Sequence, residues 1–134
     1  MQTMGMGALK VLSFDSRAKE VMRRKFGTDV VASNMNEHTF DATIQTDGCT
    51  IIGNCAVDDG GKIVETRVSD REIEAVLAGM VAHEGSLVVV EVALFTLMSL
   101  AHSPCNATAI RQNHLCDIAL DKGGSNFFSC WCSR

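Results

Sequence analysis

From Leu87 to Ala101 nearly every residue is apolar, and Glu91 is the only charge. A helix of that character has no polar face to offer water, so it has to be enclosed by protein on most sides. The run is shorter than the roughly 20 residues that a membrane span needs, and a carboxylate in its middle makes insertion costlier. It is expected to be a buried central helix, with no membrane contact. The β-branched triplet Val88, Val89, Val90 keeps a strand over Leu87 to Val92 open as the alternative. Glu91, if enclosed, would have its pKa raised by burial and act as a proton-transfer group; a carboxylate pointing out through a gap in the packing is the plainer expectation.

The segment before this run has helix signals of its own. Ser69, followed three residues later by Glu72, fits a capping box. Ile73, Val76, Leu77, Met80 and Val81 then keep the spacing that lays one apolar stripe along a helix. Gly85 suits a left-handed stop. The stretch from Ser69 to His102 is thus expected to carry the core.

The rest of the chain has to supply what surrounds that core. At 134 residues it fits one domain, 1–134, able to bury about two thirds of its unfolded surface. Residues Val30 to Ala32, Phe40 to Gln45, Cys49 to Val57 and Lys62 to Val68 are rich in β-formers and separated by turn chemistry. Asp58-Asp59-Gly60-Gly61 between two of these runs predicts a hairpin over Cys49 to Val68, since tight hairpins need positive φ. Thr46-Asp47-Gly48 predicts the turn to a third antiparallel strand. The expected class is α+β, with a small antiparallel sheet of about three strands packed against helices. Leu9 to Phe14 reads as a strand or a lead-in. Asp15 or Ser16 caps a helix to Phe26, with Ala18, Val21, Met22 and Phe26 inward and Gly27 as its stop. Ser103 and Pro104 read as the N-cap and first position of a last helix toward Lys122, with Ala107, Ile110, Leu115 and Ile118 inward. An apolar tail from about 124 holds Phe127, Phe128, Trp131, Cys130 and Cys132.

The net charge of −4 is unevenly spread. Residues 1–25 hold six basic and two acidic residues, leaving six basic and fourteen acidic for the remainder. An acidic body argues against general nucleic-acid binding. The basic helix 15–26 reads as a solvated face or as a docking surface for an acidic protein partner or an anion. Met1 to Phe14 lacks the basic and apolar regions of a secretory signal, so a cytoplasmic location is expected. There the six cysteines stay mostly reduced, favouring thiol or metal chemistry over a disulfide framework.

Among those thiols, Cys105 stands near the start of the last helix, where the helix dipole favours thiolate, with His102 three residues before it. This makes Cys105 and His102 the candidate catalytic pair of a thiol enzyme. His114 and Cys116, two apart, point about 200° from each other on a helix and cannot share a site there. Cys130-Trp131-Cys132 would chelate a soft metal if ordered. Simple packing is the plain reading for any one cysteine.

Gly48-Cys49 before an expected strand, the run Val57-Asp58-Asp59-Gly60-Gly61-Lys62-Ile63-Val64, and His102 to Cys105 opening a helix that contains Ala119-Leu120 resemble the U-type iron–sulfur cluster assembly scaffold family. The resemblance covers residues 40 to 120. It implies that Cys49 and Cys105 match the first and third cluster cysteines. It departs from the family after the third strand, where Ser69 and Asp70 stand in place of the second cysteine.

Three functions follow as expectations. The first is a non-enzymatic cytosolic protein holding an iron–sulfur cluster or zinc through Cys49, Cys105 and His102. The second is a homodimeric interaction or small-ligand-binding module with structural cysteines. The third is a thiol enzyme using Cys105. A two-fold dimer is expected, since one small sheet cannot cover all the apolar surface, with the tail or the central helix in the interface.

Overall fold

Ser69 and Glu72 close the expected capping box: the Glu72 amide donates to Ser69 Oγ at 3.3 Å, and Glu72 Oε2 accepts from the Ser69 amide at 3.0 Å. In this computed structural model, which describes residues 2–25, 27–57, 69–114 and 117, that box opens one of seven helices. They are α1 (Gln2–Leu12), α2 (Ser16–Arg24), α3 (Gly27–Glu37), α4 (Ala42–Cys55), α5 (Asp70–Ala82), α6 (Leu87–Ala101) and α7 (Pro104–Gln112). Among the described residues there is no strand, so the class is all-α and the expected antiparallel sheet is corrected.

The correction falls on α3 and α4. Val30 to Ala32 lies inside α3, and Phe40 to Gln45 leads into α4. Asp41 caps α4 by accepting from the Ile44 amide at 3.1 Å. The proposed turn Thr46-Asp47-Gly48 is the middle of that helix, and of the hairpin's first arm, Cys49 to Val57, the residues up to Cys55 are its last two turns. The hairpin's own turn and second arm, 58–68, lie outside the described residues. So do Phe26, Leu115, Cys116, Ile118, and the tail from about 124.

α4, and not the Ser69 to His102 segment, is the centre of the fold. It packs against α1, α2, α3, α5 and α6. Its Ile44, Cys49, Ile51 and Ile52 are buried among Val31, Ala32 and Met35 of α3, Ile73, Val76 and Leu77 of α5, and Ala93, Leu97 and Leu100 of α6. Polar and small residues make this enclosure possible. A Cβ at Gly48 would collide with Met35 Sδ and Cγ, so the bare backbone there admits a neighbouring side chain. Buried Gln45 donates from Nε2 to the carbonyls of Met35 and His38 at 3.0 and 2.8 Å, satisfying acceptors at the end of α3. Its Oε1 has no hydrogen-bond partner, but the vacant Cβ position of Gly79 lies 2.5 Å from it. The Cα–H of Gly79 along that direction points at the oxygen, a weak contact in place of a strong one. Thr96 of α6 donates to Cys49 O at 2.8 Å where Gly53 lets the two helices approach.

α2 has the expected Asp15 cap, accepting from the Ala18 amide at 2.9 Å. It ends at Arg24, and Gly27 opens α3 instead of stopping α2. Its basic residues divide their roles. Lys19 is buried and donates to Val57 O at 3.2 Å; Arg23 donates to Cys55 O at 2.7 Å and to Val57 O at 2.8 Å. These cations sit at the C-terminal end of α4, where the backbone carries its partial negative charge. Arg24 stays exposed and pairs with Glu20 at 2.9 Å, and the Arg24 and Arg23 hydrogen bonds hold the Glu20 carboxyl below its usual range. α1 is fastened to α4 by Lys10 with Asp47 at 3.0 Å and by Asn54 donating to Ser13 Oγ at 2.9 Å.

In α5, Ile73, Val76, Leu77 and Met80 are buried as their spacing predicts, and the C-cap is His83, whose Nε2 lies 2.8 Å from Thr39 O. Gly85 follows in a turn without positive φ, which corrects its expected left-handed role. α7 starts at Pro104, but Ser103 forms no side-chain cap, and the helix stops at Gln112.

Burial pushes the Glu72 carboxyl above its usual range, partly offset by hydrogen bonds from Thr28 and Ser69. A carboxyl whose folded pKa is raised favours the protonated native state, so its contribution is fully present below the unfolded value of about 4.3 and fades as pH rises through the folded value. Glu72→Gln preserves the capping acceptor without the buried charge. In urea melts the variant is expected to gain stability relative to wild type on going from about pH 4 to about pH 7. A relative gain by wild type over that range would contradict this account.

Candidate functional site

α6 is the expected helix, not the strand over Leu87 to Val92, but it is not enclosed. Val89, Ala93, Thr96, Leu97 and Leu100 face the core. Leu87, Val88, Phe95 and Met98 remain 73, 62, 69 and 38% exposed, and Glu91 is exposed among them. At about 100° per residue, Val88, Glu91, Phe95, Met98 and His102 form a second stripe roughly 160° from the buried one. The even distribution of apolar residues around this helix thus reflects two seams and not one sheath of protein. An open groove beside the outer seam is lined by Thr50, Gly53 and Asn54 of α4 and by Val92, Phe95 and Met98. Exposed Glu91 is the carboxylate pointing outward and not an enclosed one.

The residues proposed for a metal are differently placed. Cys49 is buried at the centre of α4, and burial pushes its thiol up to about 12. A thiol must lose its proton to bind a metal, so at neutral pH Cys49 behaves as a small apolar side chain. Cys55 is also buried, with its pKa raised by burial. Cys105 is exposed in the first turn of α7, and His102 is exposed at the C-cap of α6. Among the described residues no three His, Cys, Asp or Glu side chains come together to hold a metal ion. That corrects the metal-binding expectation for Cys49, Cys105 and His102. The strands implied by the scaffold resemblance are helix from Cys49 to Cys55, and the remainder of that motif, 58–64, is outside the described residues.

Cys105 does line an open cleft of about 840 Å³ between α5 and α7, shared with Asp70, Glu74, Thr108 and His114. His114 lines the same cleft; His102 is not part of that lining.

Set against the models of known protein families, curated proteins and solved structures, the chain matches none. No helix among the described residues is long and apolar enough to cross a membrane.

Proposed function

We propose that the protein is an interaction module that acts by self-association, with the outer seam of α6 as its interface and Cys49 and Cys55 as packing residues. The observation that carries this reading is the bare stripe of Leu87, Val88, Phe95 and Met98 on a helix whose opposite side is already core. Those four side chains expose roughly 400 Å² of apolar surface, the scale at which patches mark interaction sites. The other exposed large apolar residues, Met4, Val11, Leu12, Phe14, Val21, Val30 and Phe40, are spread over α1, α2, α3 and two turns. We place the protein in the cytosol, where an exposed thiol such as Cys105 stays reduced.

Light scattering at micromolar concentration tests the reading. Wild type is expected at twice the chain mass and Phe95→Asp at the chain mass, with the same helical circular dichroism, because an exposed side chain leaves no cavity when replaced. A wild-type monomer would overturn the proposal.

A further inference from the structure

Resting on the self-association reading, we infer that the two copies of α6 lie antiparallel, with Glu91 of each chain facing the partner's His102 and Phe95 facing the partner's Met98. The spacing of Val88, Glu91, Phe95, Met98 and His102 alternates three and four residues, the a and d positions of a two-helix seam. In an antiparallel pair each a position meets a d position of the other helix. Centring the two-fold axis between Phe95 and Met98 therefore brings Glu91 and His102 into one layer at each end.

Charge selects this arrangement over its rivals. Glu91 and His102 are the ionisable residues of the seam, both exposed, and neither side chain has a hydrogen-bond or ion-pair partner among the described residues. A parallel pair would set Glu91 against its own copy, placing two carboxylates in one layer. An antiparallel pair centred on Phe95 would set each Glu91 against a methionine, desolvating a carboxylate without a partner. The inferred register gives it an imidazole N–H instead. It also stacks a methionine sulfur on an aromatic ring at the middle of the interface, a favourable contact. The groove along α4 leaves room beside the seam, since Thr50, Gly53 and Asn54 there carry no charge.

Charge exchange separates the register from the assembly. Glu91→Lys alone would face His102 with an ammonium, and His102→Glu alone would face Glu91 with a second carboxylate. Each is expected to weaken the dimer at least about tenfold by sedimentation. The double variant Glu91→Lys/His102→Glu recreates the opposite-charge layer and is expected to recover most of that loss. All of these positions are exposed, and unchanged circular dichroism verifies folding. If Phe95→Asp gives a monomer but the single charge variants leave the affinity unchanged, or the double variant recovers nothing, the register is wrong while self-association stands. If wild type is a monomer, both fail, and the seam is left for a different protein or for another segment of this chain.

Discussion

Gly79→Ala is expected to destabilise the protein by about 2–4 kcal/mol, although alanine is the better helix former by about 1 kcal/mol. The new methyl group would sit 2.5 Å from Gln45 Oε1 and 3.3 Å from its Cδ. Gln45 cannot swing aside freely, because its Nε2 is held by the carbonyls of Met35 and His38. Moving the amide breaks both bonds and leaves buried acceptors at the end of α3 without a donor, at about 1–3 kcal/mol each in the worst case. Thermal melts should show the loss as a drop in Tm on the order of 10 °C. A double-mutant cycle identifies the cause: on a Gln45→Ala background the same glycine substitution should cost much less, since the colliding atoms are gone. Equal costs on the two backgrounds would refute the explanation.

Arg23→Ala has the second largest expected effect, a loss of about 2–4 kcal/mol from two charge-assisted hydrogen bonds. The Arg23 side chain is only 16% exposed, and its bonds to Cys55 O and Val57 O finish the C-terminal end of α4. Arg24, next in the chain, serves as the control. Its side chain is 75% exposed and pairs with Glu20 in water, so Arg24→Ala should leave the denaturation midpoint unchanged. If the two alanine variants behave alike, Arg23 is only another surface cation and the basic helix reverts to the solvated face suggested by its composition.

What the sequence shows of this fold depends on how many neighbours each helix has. α5 was legible because one side meets the core: Ser69 and Glu72 announce its start, and Ile73, Val76, Leu77 and Met80 repeat at the helical period. α4 was not, because it meets helices on nearly every side. Its buried set includes Gln45, Asp47, Gly48 and Gly53, residues that mark turns or surfaces in most contexts. Close helix approach requires the glycines, while the threonines of the expected strand and turn satisfy their own hydroxyls within the helix. Thr50 Oγ1 donates to Thr46 O at 2.8 Å, and Thr46 Oγ1 to Ala42 O at 3.1 Å. α6 was recognised as a helix, but apolarity alone does not distinguish a side chain covered by its own chain from one awaiting a second molecule. The candidate site was legible only as composition: the run containing Phe95 and Met98 was evident, and its division into an inner and an outer seam required the positions of α4, α5 and α7 around it.

Enclosure of α4 also restricts where this protein can move. Nine of its fourteen residues are buried, and five other helices rest on it, so α4 cannot shift without disturbing all of them at once. It is the axle of the molecule, and displacement belongs to the rim. α1 is packed on α4 through buried Met6 as well as tied by Lys10 and Ser13, whereas α7 rests on α5 and α6, so α7 lifts at the lower cost. α6 lies between axle and rim, its inner side fixed and its outer side uncovered among the described residues, so the proposed second copy would bind without any rearrangement of the core.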